Sequence, residues 1–331
     1  MDRRFIKGVI EALLGGVFWG LSGACAQYLS MHYTISPLFV VLVRNVGAAF
    51  LFAIILFVRY KPQAKEMLQD RSCWSYYLAF ALVGILMCQT CYIFAIGRTN
   101  AGTTTVIQSL NVVFVLVYIC LRARRLPYLF EFLGVILAMV AIFLIATGGD
   151  FSTLVVPADG LIAGLLSAVA VAVYVLAPKK LFARWKSMAV ISVGLIISGI
   201  GVFIIWVIGV CLTPAFPSIE PFFSVPELRA DGIIALIIML FFGTFAAFGL
   251  YLGGVAIVGG VNGSLLSTIE PVAATVFAVC FLGTSFAWSD WVGLVLMIST
   301  VFLVVLQPSG NKKKNAKKLR ECSQDKNKQH S

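Results

Sequence analysis

Glu270 and Pro271 stand side by side inside an apolar run, Asn262 to Phe281, long enough to cross a bilayer. A carboxylate at mid-bilayer costs roughly 3 kcal/mol on insertion scales. Proline removes a backbone donor and kinks a helix, so Pro271 is expected to mark a structural kink. Both costs in adjacent residues point to a helix that faces protein or a watery cavity. There Glu270 could hold a substrate, exchange a proton, or fix the kink by hydrogen bonding. Gly263, Ser267 and Glu270 fall at i, i+4, i+7 and share one helical face. Thr104, Gln108 and Asn111, 159 positions earlier, repeat that spacing in a second apolar run. This polar stripe could bind a substrate, or join helices by hydrogen bonds worth about 1 kcal/mol each. Arg44 is the basic residue set deepest in an apolar run. Its guanidinium cannot shed a proton and needs a carboxylate or water. An internal pair with Glu11 or Glu270 is preferred over a substrate carboxylate. Trp19, Tyr92, Tyr174 and Tyr251 could line a cavity for an apolar or aromatic molecule, or serve as packing.

The elements that must position these residues are membrane helices. Hydrophobic residues make up 60% of the 331 and charged ones 12%, against about 25% charged in a soluble domain. The apolar runs are continuous, whereas barrel strands would alternate. Ten spans are expected, at about 8–29, 37–58, 75–94, 102–121, 128–147, 159–178, 188–211, 231–250, 262–282 and 290–307. The start resembles a signal peptide, with Ala24-Cys25-Ala26 as a possible cleavage site. Glu11 interrupts its apolar stretch, however, and it is read as an uncleaved first helix.

Of the 25 Lys and Arg residues, 22 fall on one side of this ten-span scheme, which puts both termini in the cytoplasm. The net charge of +11 is concentrated there, much of it in the tail after Pro308. That tail, 309–331, is expected to be disordered and to sit against anionic lipid rather than nucleic acid. The longest connection, Thr213 to Asp231, has four prolines that resist regular structure and reads as a capping loop. Most of the eight cysteines lie in apolar runs, where Cys behaves as a small hydrophobe. The Cys88–Cys91 spacing is weighed against a metal or redox role by the scarcity of histidine, His32 and His330 alone. No P-loop occurs, so neither direct ATP drive nor a cofactor is expected. Nothing in the sequence fixes an oligomeric state.

The chain repeats internally. At an offset of 159, Glu131 meets Asp290, Phe132 meets Trp291, Gly134 meets Gly293 and Phe143 meets Phe302. Earlier the offset shortens, with Leu13-Leu14 on Leu165-Leu166. The halves are 1–150 and 151–308. Five spans per half is an odd number, so the halves insert with opposite orientation. Inverted repeats of this kind are a transporter signature, with the substrate held near midplane between them.

The run Tyr251 to Thr284, YLGGVAIVGGVNGSLLSTIEPVAATVFAVCFLGT, resembles the most recognisable segment of the EamA family in the drug/metabolite transporter superfamily. The Glu-Pro of that family is Glu270-Pro271 here, and Trp19-Gly20 fits its first helix. Two departures stand out. The family's Leu-Gly-Glu exit ends here in Thr284, and the first-half equivalent of Glu-Pro is Asn111-Val112. The resemblance covers about residues 8 to 307. It implies a secondary transporter in the cell membrane, often an exporter, for a small metabolite such as an amino acid or a related polar or amphipathic compound. The alternative is a membrane-embedded enzyme such as a lipid-modifying transferase. That reading needs acid/base or metal groups clustered at one interface, and isolated midplane polar residues argue against it.

Overall fold

The computed structural model describes residues 3–124, 126–127, 129–148, 156–267 and 269–305. Among them the regular structure is helical throughout: α1 (Arg3–His32), α2 (Pro37–Arg59), α3 (Lys61–Gln69), α4 (Arg71–Arg98), α5 (Ala101–Arg122), α6 (Leu129–Thr147), α7 (Ala158–Phe182), α8 (Ser187–Leu212), α9 (Ala230–Val258), α10 (Gly260–Leu266), α11 (Ile269–Leu282) and α12 (Trp288–Val305). Seven of these, α1, α2, α4, α5, α7, α8 and α9, are long and apolar enough to cross a membrane. Large apolar side chains such as Phe50, Phe57, Phe203 and Ile237 are exposed around the bundle, as lipid contact requires. The basic tail lies outside the described residues.

Local signals set the helix ends. Ser36 caps α2, accepting from the Leu38 amide at 3.2 Å, with Pro37 in the first turn, where its missing donor costs nothing. Asn100 caps α5 through Thr103 N at 2.8 Å. Gly259 (φ +87°) and Gly283 (φ +61°) end α9 and α11 in the left-handed region that favours glycine.

Two connections differ from the sequence reading. The basic segment after α2 is not a bare link: it forms α3, whose Ala64 and Met67 are buried while its lysines face out. The proline-rich connection also contains helical turns, Pro217–Ile219 and Glu220–Phe223. Proline at the start of a turn promotes it rather than blocking it. This connection folds back as a cap: Phe223 packs 5.7 Å from Trp206, and the Phe222 carbonyl accepts from Ser36 Oγ at 2.6 Å.

The main packing runs between the two parts of the chain. α1 lies against α9 and α11, α2 against α8, α4 against α7, α5 against α11, and α6 against α12. Glycine permits the closest of these approaches. A Cβ on Gly20 would stand 2.6 Å from Ala273 Cβ and 2.7 Å from the Ala274 nitrogen.

Candidate functional site

The site forms where two helices are interrupted. α10 stops at Leu266 and α11 starts at Ile269, which places Glu270 and Pro271 in the first turn of a new helix. A proline ring clashes with a helical carbonyl four residues back, at Ser267, and so ends the preceding helix. At the third position of α11 the missing amide costs no ladder bond. Pro271 therefore accompanies a break, where a kink in a continuous helix was expected. α5 is interrupted without proline. Its parts, Ala101–Gln108 and Asn111–Arg122, meet at Ser109 and Leu110. The joint tightens to i−3 bonds, Leu110 N to Ile107 O at 3.1 Å and Val112 N to Ser109 O at 3.2 Å. Asn111 Nδ2 donates to the carbonyl of Gln108 at 3.0 Å.

Glu270 is buried, and four other elements face it. Tyr92 and Cys88 come from α4, Tyr174 from α7, Tyr251 from α9 and Arg44 from α2; all are within electrostatic reach of its carboxylate. Ser267 interacts with the Tyr251 hydroxyl. Trp19 on α1 closes the group, its ring 4.6 Å from Tyr251, 5.2 Å from Phe248 and 6.1 Å from Tyr174. The fold thus gathers Trp19, Tyr92, Tyr174, Ser267 and Glu270. It fills with aromatic rings the space where an open cavity was expected: none of the nine candidate pathway residues is more than 8% exposed.

The Thr104 stripe is spent locally. Thr104 Oγ1 bonds Thr99 Oγ1 at 2.7 Å, towards the start of α5. Gln108 Nε2 donates to Ser167 Oγ and to Cys88 Sγ at 3.6 Å, and Ser167 Oγ donates to the Cys88 carbonyl at 3.3 Å. Cys88 is therefore the link between the Gln108 knot and Glu270.

Arg44 is buried, but its hydrogen bonds differ from the expected carboxylate pair. Nε donates to Thr244 Oγ1 at 3.0 Å and Nη2 to the Gly243 carbonyl at 3.1 Å. Glu11 instead pairs with Lys7 at 3.6 Å. The reason lies in α9, which widens to a π-helix over Phe241–Ala246 and frees acceptors from the regular ladder. Neighbouring Asn45 donates to Ser198 Oγ at 2.9 Å.

Several residues in this network carried no expectation. Gln27 Oε1 accepts from Ala101 N at 3.0 Å, and its Nε2 donates to Thr284 Oγ1 at 2.8 Å, joining α1 to the start of α5 and the exit of α11. Ser167 and Thr244 anchor Gln108 and Arg44. Each is a lone polar residue in an apolar run, and that isolation is the signal that could have found them. Nearer the surface, Asp231 accepts from Tyr28 at 2.5 Å and Tyr33 at 2.7 Å, Arg98 pairs with Asp159 at 2.6 Å, and Arg184 pairs with Asp70 at 2.5 Å.

A helical bundle with exposed apolar residues around a buried polar centre is an integral membrane protein of the multi-span kind. This chain belongs to the EamA-like transporter family, whose model matches residues 6–147 and again 158–306. It is a transporter rather than an enzyme. It is 28% identical over 300 residues to the uncharacterized inner membrane transporter YicL of Salmonella typhimurium, covering 91% of this chain and 95% of that one. A protein solved by crystallography shares the fold, with a TM-score of 0.62 at 12% identity over 90% of this chain and 96% of the other.

Proposed function

We propose that this chain is a secondary carrier that exports a small metabolite, an amino acid or a related polar or amphipathic compound, by alternating access between two inverted five-span repeats. The observation that carries this reading is the pair of matched interruptions. Asn111 and Glu270, 159 positions apart, each stand in the opening turn of a second helical segment. Discontinuous helices near midplane supply the half-helix ends that bind substrates in such carriers. Further support comes from the π segments Ala79–Met87 and Phe241–Ala246, which fall at corresponding places in the two halves. Counting α10 and α11 as one span and setting α3 aside gives ten spans, with halves 1–150 and 151–308. Export is the direction the family resemblance implies. The plasma membrane is what the family resemblance implies, and cytoplasmic termini follow from charge placement.

The pathway is assigned to Trp19, Arg44, Tyr92, Thr104, Gln108, Asn111, Tyr174, Ser267 and Glu270. In this reading the packed rings at Trp19 and Tyr251 are an occluded stage, and they part when the halves rock. An amide cannot change charge, so of Asn111 and Glu270 only the acid can couple flux to a proton gradient. Flux into liposomes of purified protein, measured at several pH values for wild type and Glu270→Gln, tests both levels. Absence of protein-dependent flux would remove the carrier reading. An unaltered pH profile in folded Glu270→Gln protein would remove the coupling role alone.

A further inference from the structure

We propose that the transported compound carries a carboxylate and that Nη1 of Arg44 receives it; this rests on the carrier reading above. Arg44 is 3% exposed. Two of its three nitrogens are tied, Nε to Thr244 and Nη2 to the Gly243 carbonyl, while the buried Nη1 has no hydrogen-bond partner. Both tied partners are neutral. Among the described residues no carboxylate lies within 4.0 Å of Arg44, although Glu270 acts on it from further off. A full positive charge held in a dry interior with a free N–H group is a strong receptor for an anion, because pairing replaces the water it has lost.

The surroundings hold that receptor in place. Thr244 Oγ1 donates onward to the Met239 carbonyl at 3.1 Å, so that tether of the guanidinium is itself fixed. Ser22 on α1, 2% exposed, presses against Gly243, and its hydroxyl also has no partner. The next residue, Gly23, is where the Tyr92 hydroxyl comes in: a Cβ there would meet it at 2.7 Å. Arg44 of α2 and Ser22 of α1 thus both meet Gly243 of α9, each with an unpartnered donor, a pair of groups suited to a carboxylate. Tyr92 interacts with both Arg44 and Glu270, and the acid also acts on Arg44, so both charged groups are near enough to share one small molecule. Arg44 stands off the matched stripes, and its role is to select the substrate rather than to couple protons.

The test uses full-length protein in liposomes and two probe mixtures: labelled L-leucine, L-phenylalanine and L-threonine, and the three corresponding carboxamides. Wild type is expected to move the acids about tenfold faster or more than the amides, the size of one charge-assisted hydrogen bond. Arg44→Gln should erase that preference, and Arg44→Lys should restore part of it. Equal rates for acids and amides in wild type would overturn the proposal and leave the carrier reading intact. A preference for acids that survives in Arg44→Gln would overturn it too. Failure to move either mixture would overturn both. The wild-type comparison needs no variant to fold.

Discussion

Asn111 gives its side-chain amide to the carbonyl of Gln108, 3.0 Å away, across the joint of α5. The bond replaces one that the interrupted ladder no longer supplies. Its other atom, Oδ1, is buried without a partner. Asn111→Leu therefore frees one acceptor and removes one orphan. The expected loss of stability is about 1 kcal/mol, in line with polar contacts between membrane helices. Thermal unfolding in detergent would measure it, and a loss several times larger would assign Asn111 a wider role.

Gln27 has both ends of its amide satisfied, by Ala101 N and Thr284 Oγ1. Gln27→Leu leaves two partners stranded, each costing about 1–3 kcal/mol when buried. It should lower the unfolding temperature more than Asn111→Leu does. Equal shifts in the two variants would show that the tie between α1, α5 and α11 carries no special weight.

Gly20 has no room for a methyl group, because the atoms in its way include the backbone nitrogen of Ala274 at 2.7 Å. Gly20→Ala should separate α1 from α11 and cost about 1–3 kcal/mol, the usual penalty for overpacking. Gly253 meets only Glu11 Oε2 at 3.8 Å, an ordinary contact. Gly253→Ala is the control and should unfold at the wild-type temperature.

Asp70 sits outside the spans with Ser72 and Arg184. The hydrogen bond from the Ser72 side chain, helped by the Arg184 guanidinium, holds its carboxyl below the usual carboxylate range. A lowered folded value means the pair stabilises the protein above the unfolded value, near 4. That stabilisation is lost as pH falls through the folded value. Because the pair is solvated, the effect is small and screened by salt. In low salt, the drop in unfolding temperature between pH 7 and pH 3 should be smaller for Asp70→Asn than for wild type. An identical drop would mean the pair contributes nothing.

The charge arrangement predicts cytoplasmic termini. A C-terminal reporter active only outside the cytoplasm should stay silent, and strong activity would break the ten-span scheme.

How far the sequence could be read depended on whether a feature is local. Apolar runs mark the spans, and Pro271 marks the break before α11 because its ring acts on residues next to it. The break in α5 has no such marker. It rests on Ser109, Leu110 and the Asn111 side chain, whose capping geometry appears only once the chain is folded. Segment α3 reads as a charged link because Lys61, Lys65 and Glu66 outnumber its two buried residues, Ala64 and Met67. Partners distant in sequence were the least legible. Thr284 reads as a lost acid, yet it accepts from Gln27 on the first helix. Arg44 reads as half of an ion pair, yet its acceptors come from a π turn that no sequence period reveals.

The seating of α1 against α9 and α11 carries a consequence for biosynthesis. α1 leaves the ribosome well before the helices it packs on. Its glycine-rich flank, Gly15, Gly16 and Gly20, fits surfaces made of Tyr251, Ile269 and Ala273. At roughly 5–20 residues per second, on the order of 10–50 s of translation separate that flank from its match. Until then α1 must rest in lipid with a shallow, weakly apolar groove exposed. A stalled ribosome, or an early stop before α9, would strand it there as a ready substrate for membrane quality control.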